Sequence, residues 1–381
     1  MQKTILSLAI GLSFLLGMSA CQPKSDASSK SNEAKDTEQV NTPTPIEKSA
    51  ATSNKPTDSA LDAKTCLALN KSMQKVDDTS KIDTIYEIQK QLTACLPTAN
   101  STEALSLLKD YQAMYGRFLA IDSDINAENT DPQVAQAYYD VMSALEMGEQ
   151  VPVEALNKLS PRTRYLISLI KSDADVRARN LGEGFYTFAH DLQAMADIFI
   201  PYLRPDQKAF IGRMAKDNQE VFWSDAAVTI TFDELIERAI FWEDYIQRYP
   251  SGYAVQDAKV LLNLYRYVIF FGSDNTRWTD NEIREFIKPD YKQMIVALTK
   301  RPNSILAKDA ENYLNFMALS DSERQELYPA SSTTEDGYEL NEWEMVYYRL
   351  NQAMQIPSIW KNDGDNRECL EGLFCQTESF D

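Results

Sequence analysis

Two stretches lying 52 residues apart, PSGYAVQDAKVLLNLY from Pro250 and PNSILAKDAENYLNFM from Pro302, align without a gap. They match at Pro250/Pro302, Asp257/Asp309, Ala258/Ala310, Leu262/Leu314 and Asn263/Asn315. Each follows an amphipathic run, ending IQRY in the first case and LTKR in the second. The pattern predicts a helix, a proline turn and a second helix, with Ala258 and Ala310 as small residues where helices approach closely. Hairpins of this kind bury one face on the next hairpin.

Helix signals recur along the rest of the body. Capping-box spacings open at Asn100 with Glu103, Thr231 with Glu234, Thr279 with Glu282, Ser320 with Glu323 and Asn341 with Glu344. Pro132 follows Asp131 and Pro161 follows Ser160, both first-turn prolines, and Gly148 stands past the end of the helix begun at Asp131. Leu105, Leu108, Tyr111, Met114 and Leu119 fall near one face, as do Leu235, Ile236, Ala239, Trp242 and Ile246. Strand-like alternation is confined to VTITF, Val228 to Phe232, and with 12 glycines the chain has few hairpin turns to offer. NLGEGF, Asn180 to Phe185, reads as a helix end and restart. The expected fold class is all-α.

The stretch YPSGYAVQDA also resembles the tetratricopeptide-like helical hairpins of bacterial envelope lipoproteins, over about 80 residues and with an offset longer than the usual 34. That resemblance implies an irregular α-solenoid, a helical-hairpin repeat body. The rival is a compact helical domain with a coincidental similarity. The expected organisation is a signal over residues 1–20, a tether over 21–60, an N-terminal helical region over 61–230 and a C-terminal helical-hairpin region over 231–381.

The chain opens MQKTILSLAIGLSFLLGMSAC, where Lys3 precedes an apolar core from Ile5 to Met18. This is the layout of a secretory signal, too short to span a bilayer as a helix of about 20 residues. Ser19 and Ala20 directly before Cys21 resemble the bacterial lipobox, from whose usual first position Met18 departs. The resemblance implies cleavage before Cys21 and its lipidation, and two or more acyl chains suffice for stable anchoring. Gln22, where an Asp would mark inner-membrane retention, implies the outer membrane and a periplasm-facing body. From Gln22 to Ala60 the chain has almost nothing to bury and reads as a disordered leash.

With Cys21 assigned to lipid, Cys66, Cys95, Cys369 and Cys375 remain. An even number in an exported chain predicts disulfides, and sequence neighbours favour Cys66 with Cys95 and Cys369 with Cys375 among the three pairings. The formal charge of −19 repels phosphate backbones, so nucleic acid is not an expected partner. It suits a basic partner, or simply solubility.

No reaction is legible. His190, the only histidine, lies beside Asp191 on an expected helix, with no nucleophile elbow, no HExxH motif and no phosphate loop elsewhere. No metal or cofactor is expected; SDNTRWTDNE and KNDGDNRE lack the EF-hand spacing and read as turns. Trp223, Trp242, Trp278, Trp343 and Trp360 accompany 19 tyrosines. Aromatics beside carboxylates can form a groove for a cationic peptide or a sugar, although at helical spacing they are core. The loop FGSDNTRW is the candidate partner-binding element, through Ser273, Asp274, Asn275, Arg277 and Trp278. The leading expectation is a lipid-anchored scaffold or interaction protein binding an envelope protein or peptide. The alternatives are a cell-wall glycan hydrolase using paired carboxylates and a small-ligand-binding lipoprotein.

Overall fold

A computed structural model describes residues 59–121, 130–172, 174–333, 337–359 and 367–377. The expected signal, Cys21, the tether up to residue 58 and Trp360 lie outside the described residues. The body is mainly helical. In order run α1 (Ser59–Gln74), α2 (Ile82–Cys95), α3 (Ser101–Phe118), α4 (Pro132–Glu146), α5 (Val153–Lys158) and α6 (Pro161–Lys171). The strands β1 (Val176–Gly182) and β2 (Phe185–His190) come next, then α7 (Leu192–Phe199) and α8 (Pro205–Asp217). After β3 (Trp223–Ser224) and β4 (Ala227–Val228) follow α9 (Phe232–Arg248), α10 (Val255–Phe271), α11 (Pro289–Leu298), α12 (Ile305–Ala318), α13 (Asp321–Leu327) and α14 (Glu342–Met354). The pair β5 (Arg367–Glu368) and β6 (Gln376–Thr377) closes the described chain.

Local chemistry accounts for most helix ends. The Asn100 carboxamide accepts from the backbone N–H of Thr102 and Glu103 while the Glu103 carboxylate accepts from Asn100 N, a reciprocal capping box repeated at Ser320 and Asn341. Gly148, at φ +68°, ends α4: its N–H donates to Leu145 O and that of Glu149 to Ala144 O, the paired bonds of a Schellman motif. At Thr279 the expected helix start fails. Asp280 Oδ1 instead accepts from Arg284 N at 2.7 Å, and Thr279 bridges to Phe286, so the side chain competes with the helix and closes a loop.

Two further expectations are overturned. NLGEGF is the tip of the β1–β2 hairpin, and His190 ends strand β2 rather than riding a helix. Positive φ at Gly182, Glu183 and Gly184 turns the chain back at the point where a helix break was expected. VTITF contributes only Val228 to a two-residue strand before Phe232 opens α9.

Pro56–Asp381 forms one compact unit, so the regions divided at residue 230 share a hydrophobic core running from Leu69 to Leu373. Both predicted disulfides are formed: Cys66–Cys95 ties α1 to α2, and Cys369–Cys375 closes the loop between β5 and β6. That loop reaches back across the chain, where Leu373 N donates to Gln112 Oε1 of α3 at 2.9 Å. Ala258 and Ala310 are both fully buried, and α9–α10 and α11–α12 are each a helix, a six-residue turn and a helix. The element boundaries repeat at 50 residues while the sequences match at 52, so the two prolines occupy different places in their turns. No helix among the described residues is long and apolar enough to cross a membrane.

Candidate functional site: a groove between two β-turns

The β1–β2 and β3–β4 hairpins each close on two residues with positive φ, Glu183–Gly184 (+50° and +82°) and Asp225–Ala226 (+50° and +52°). Positive φ at both central residues marks the type I′ turn, which suits the right-handed twist of the strands. Each turn therefore carries an acid at its first central position. The turns also touch: a Cβ on Gly182 would stand 2.9 Å from Asp225 Cβ, so only glycine lets the two backbones approach.

Between them opens a groove of about 410 Å³, walled on the far side by Leu370 and Glu371 of the C-terminal disulfide loop. Phe185 and Leu181 are exposed and Trp223 is half-buried along its length. Arg179 and Glu371 form an ion pair across it. The loop's position is held by Asn218, whose carboxamide donates to Gly372 O and accepts from Gly372 N, both at 3.1 Å. On the near side Tyr186 Oη donates to Glu146 at 2.7 Å, tying the β1–β2 hairpin to α4. Among the described residues no hydrogen bond or ion pair engages the Glu183 or Asp225 carboxylate.

The candidate loop buttresses this groove. Asn275 donates from its backbone N to Ala226 O at 3.1 Å and from Nδ2 to Asp225 O at 2.6 Å, while Thr276 Oγ1 accepts from Val228 N at 2.9 Å. Ser273 is half-buried and pairs with Thr276, and Asp274 and Asn275 are exposed. Arg277 reaches the other way, its guanidinium 5.3 Å from the Trp343 ring. Trp278 is a correction to the sequence reading: its ring is buried against Phe232 and Tyr291 and its Nε1 donates to Val268 O at 2.8 Å. An indole whose face and N–H are both used inside the core presents nothing to a partner. Trp242 is fully buried as well.

Two other depressions are less equipped for recognition. One between α4 and α5, about 410 Å³, has no aromatic side chain. The other, about 500 Å³ beside α11 and α12, has Phe286 and Met317 in its lining, but its Arg284 is already bound to Leu319 O and Asp321. Asp257 brings a carboxylate oxygen within 4.8 Å of the sulfurs of Cys369 and Cys375. Those sulfurs are bonded to each other and supply no thiolate to a metal.

His190 is packed rather than poised for catalysis. It lies tilted at 41° against Tyr115, 3.6 Å between centroids, and edge-on to Tyr111, and neither ring nitrogen has a hydrogen-bond partner among the described residues. Burial pushes its pKa down to about 3, against the pull of Asp191 and with a smaller push from Arg177. A folded-state pKa below the unfolded value gives stability that is complete above about pH 6.5 and is lost as pH falls toward the folded value. His190→Phe should therefore lose about 2 kcal/mol less than the parent chain between pH 7 and pH 5. Urea unfolding of both proteins at the two pH values checks this; equal losses would show that the imidazole finds a partner when charged.

The chain matches no family model, no curated protein and no solved structure.

Proposed function

We propose that this chain is a lipid-anchored, periplasm-facing interaction protein of the bacterial outer membrane. Its irregular helical-hairpin body holds a protein or peptide partner in the groove between the two β-turns. The observation that carries the binding half is that groove: aromatic walls, two unengaged carboxylates and a rigid frame converge on one open surface. The anchor rests on the run ending MSAC at Cys21, and two disulfides suit an oxidising envelope compartment.

The hydrolase reading has less support. Of the described tryptophans, only Trp223 lines the groove, and Glu183 and Asp225 sit at exposed turn tips rather than in the desolvated pocket that keeps a general acid protonated. A small-ligand receptor calls for an enclosed cleft between lobes, whereas this groove is open.

The test uses living cells. Cys21→Ala is expected to move the protein from the membrane to the soluble fraction, and its retention would sink the anchor. A photoreactive residue at Leu181 in the groove is expected to capture a discrete partner that the same residue at Glu311 of α12 does not. Identical capture patterns from the two positions would sink the groove.

A further inference from the structure

We propose that the groove reads a basic, extended segment of its partner. A Lys or Arg stem lies along Phe185 and Trp223, with its cation between the Glu183 and Asp225 turns. This rests on the groove being the partner site and names the chemistry that fills it.

Charge complementarity carries the inference. Four ionisable side chains line the groove, Arg179, Glu183, Asp225 and Glu371. Arg179 and Glu371 neutralise each other, which leaves two carboxylates with no partner among the described residues. The placement of Glu183 is separate evidence, because type I′ turns favour Asn, Asp or Gly at positive φ, which accounts for Asp225, and gain nothing from a glutamate. Glu183 thus occupies a backbone conformation unfavourable to it, at a turn tip where its charge reaches solvent. The aromatic faces of Trp223 and Phe185 supply the other half, since a cation is attracted to a ring face and its aliphatic stem covers apolar surface. An anionic segment would instead meet two unpaired carboxylates in a chain of formal charge −19, and that field steers cations inward. Leu181 and Leu370 extend the apolar floor to either side, room for the flanking residues of an extended chain.

The probe is a short fluorescein-labelled peptide alternating Lys with Ala, followed by fluorescence anisotropy at physiological ionic strength against the full-length lipid-free protein. Counterparts carry norleucine or Glu in place of Lys. The Lys peptide is expected to bind, and the double variant Glu183→Gln/Asp225→Asn to weaken it by about tenfold or more. Both replacements keep the turn, because Asn is at home at positive φ and Gln matches Glu in shape, and thermal melts confirm folding. Glu311→Gln/Glu326→Gln, on the exposed faces of α12 and α13, removes the same charge elsewhere and is expected to change binding by less than about twofold.

Equal weakening by the two doubles would reduce the effect to diffuse attraction and overturn the proposal. If the norleucine peptide binds as tightly as the Lys peptide, and Trp223→Ala abolishes both, the groove remains the partner site but does not read charge. If neither Trp223→Ala nor the groove double changes binding of any of the three peptides, the charge reading and the partner site fail together.

Discussion

Arg324→Ala is expected to lower the free energy of unfolding by about 3–5 kcal/mol, from the loss of several charge-assisted hydrogen bonds worth about 1.5–3 kcal/mol each. Arg324 is 1% exposed yet makes no ion pair among the described residues. Its guanidinium donates to backbone carbonyls instead: Nε to Phe316 O at 3.1 Å, Nη1 to Glu282 O at 2.6 Å and Nη2 to Ile283 O at 2.9 Å. Phe316 lies in the last turn of α12, where the helix dipole is negative and its carbonyl otherwise accepts only from the C-cap Leu319 N at 3.3 Å. Ile283 is buried and β-branched at φ +54°, a conformation that costs about 1–3 kcal/mol and persists only when the surroundings hold it. One planar fork therefore caps a helix and clamps a strained loop, and its ring-facing contact with Phe316, 4.3 Å to the centroid, fills the remaining face. Alanine removes the fork: Ile283 O loses its donor at a buried residue, Glu282 O loses its donor at an exposed one, and Phe316 O keeps only Leu319 N at 3.3 Å. Arg324→Lys keeps the charge but offers a point donor rather than a fork, and should recover less than half of the loss. Urea unfolding followed by far-UV circular dichroism measures both; a loss below about 1 kcal/mol for the alanine variant would mean that water satisfies the carbonyls.

The helical body was legible because its signals are local. Asn100, Ser320 and Asn341 cap helices as their spacing to a glutamate three residues on predicts, and of the residues that periodicity selects Leu108, Tyr111, Met114, Leu235, Ile236, Ala239 and Trp242 are buried while Leu105 and Ile246 are half-buried. The β1–β2 hairpin escaped notice for the same reason. Strand VRARNLG has no alternation in its burial, and FYTFAH buries Tyr186, Phe188 and His190 on one face although its apolar Phe185 and Ala189 fall on the other, so neither reads as apolar–polar alternation in sequence. Thr279 with Glu282 had the capping spacing but not the helix, because Asp280 between them closes a competing turn. The loop FGSDNTRW braces the β3–β4 turn through Asn275 and Thr276, and its Trp278 was misassigned: sequence gives its place between helices but not the carbonyl of Val268 that takes the indole N–H into the core. The groove could not be read from any local window, since Glu183, Asp225 and Glu371 come from three hairpins brought together only by the folded chain.

Glu243 shows the same limit in energetic form, and its removal is the second large expected effect. In FWEDY the carboxylate looks like a surface acid beside Trp242, yet it is 3% exposed and points at the start of α12. Oε1 accepts from Ile305 N at 2.6 Å and Leu306 N at 3.2 Å, and Ser304 Oγ donates to Oε2 at 2.7 Å while itself accepting from Ala307 N at 3.1 Å. One side chain of α9 thus satisfies the first free N–H groups of α12 and places a negative charge at the positive end of its dipole. Arg301, 3.6 Å away, adds a second positive neighbour. Glu243→Ala should cost about 3 kcal/mol, since Leu306 N is left buried without an acceptor, Ile305 N and Ser304 Oγ lose theirs, and α9 and α12 lose their only charged link at this corner among the described residues. Glu243→Gln keeps an oxygen for the N–H groups and loses the charge, and about half that cost is expected. Hydrogen exchange separates this role from a merely global one: the amides of Ile305 and Leu306 should lose protection in Glu243→Ala before those of α3 do. Uniform loss across the chain would mean that Glu243 stabilises the core as a whole and does not hold the junction between the two helix pairs.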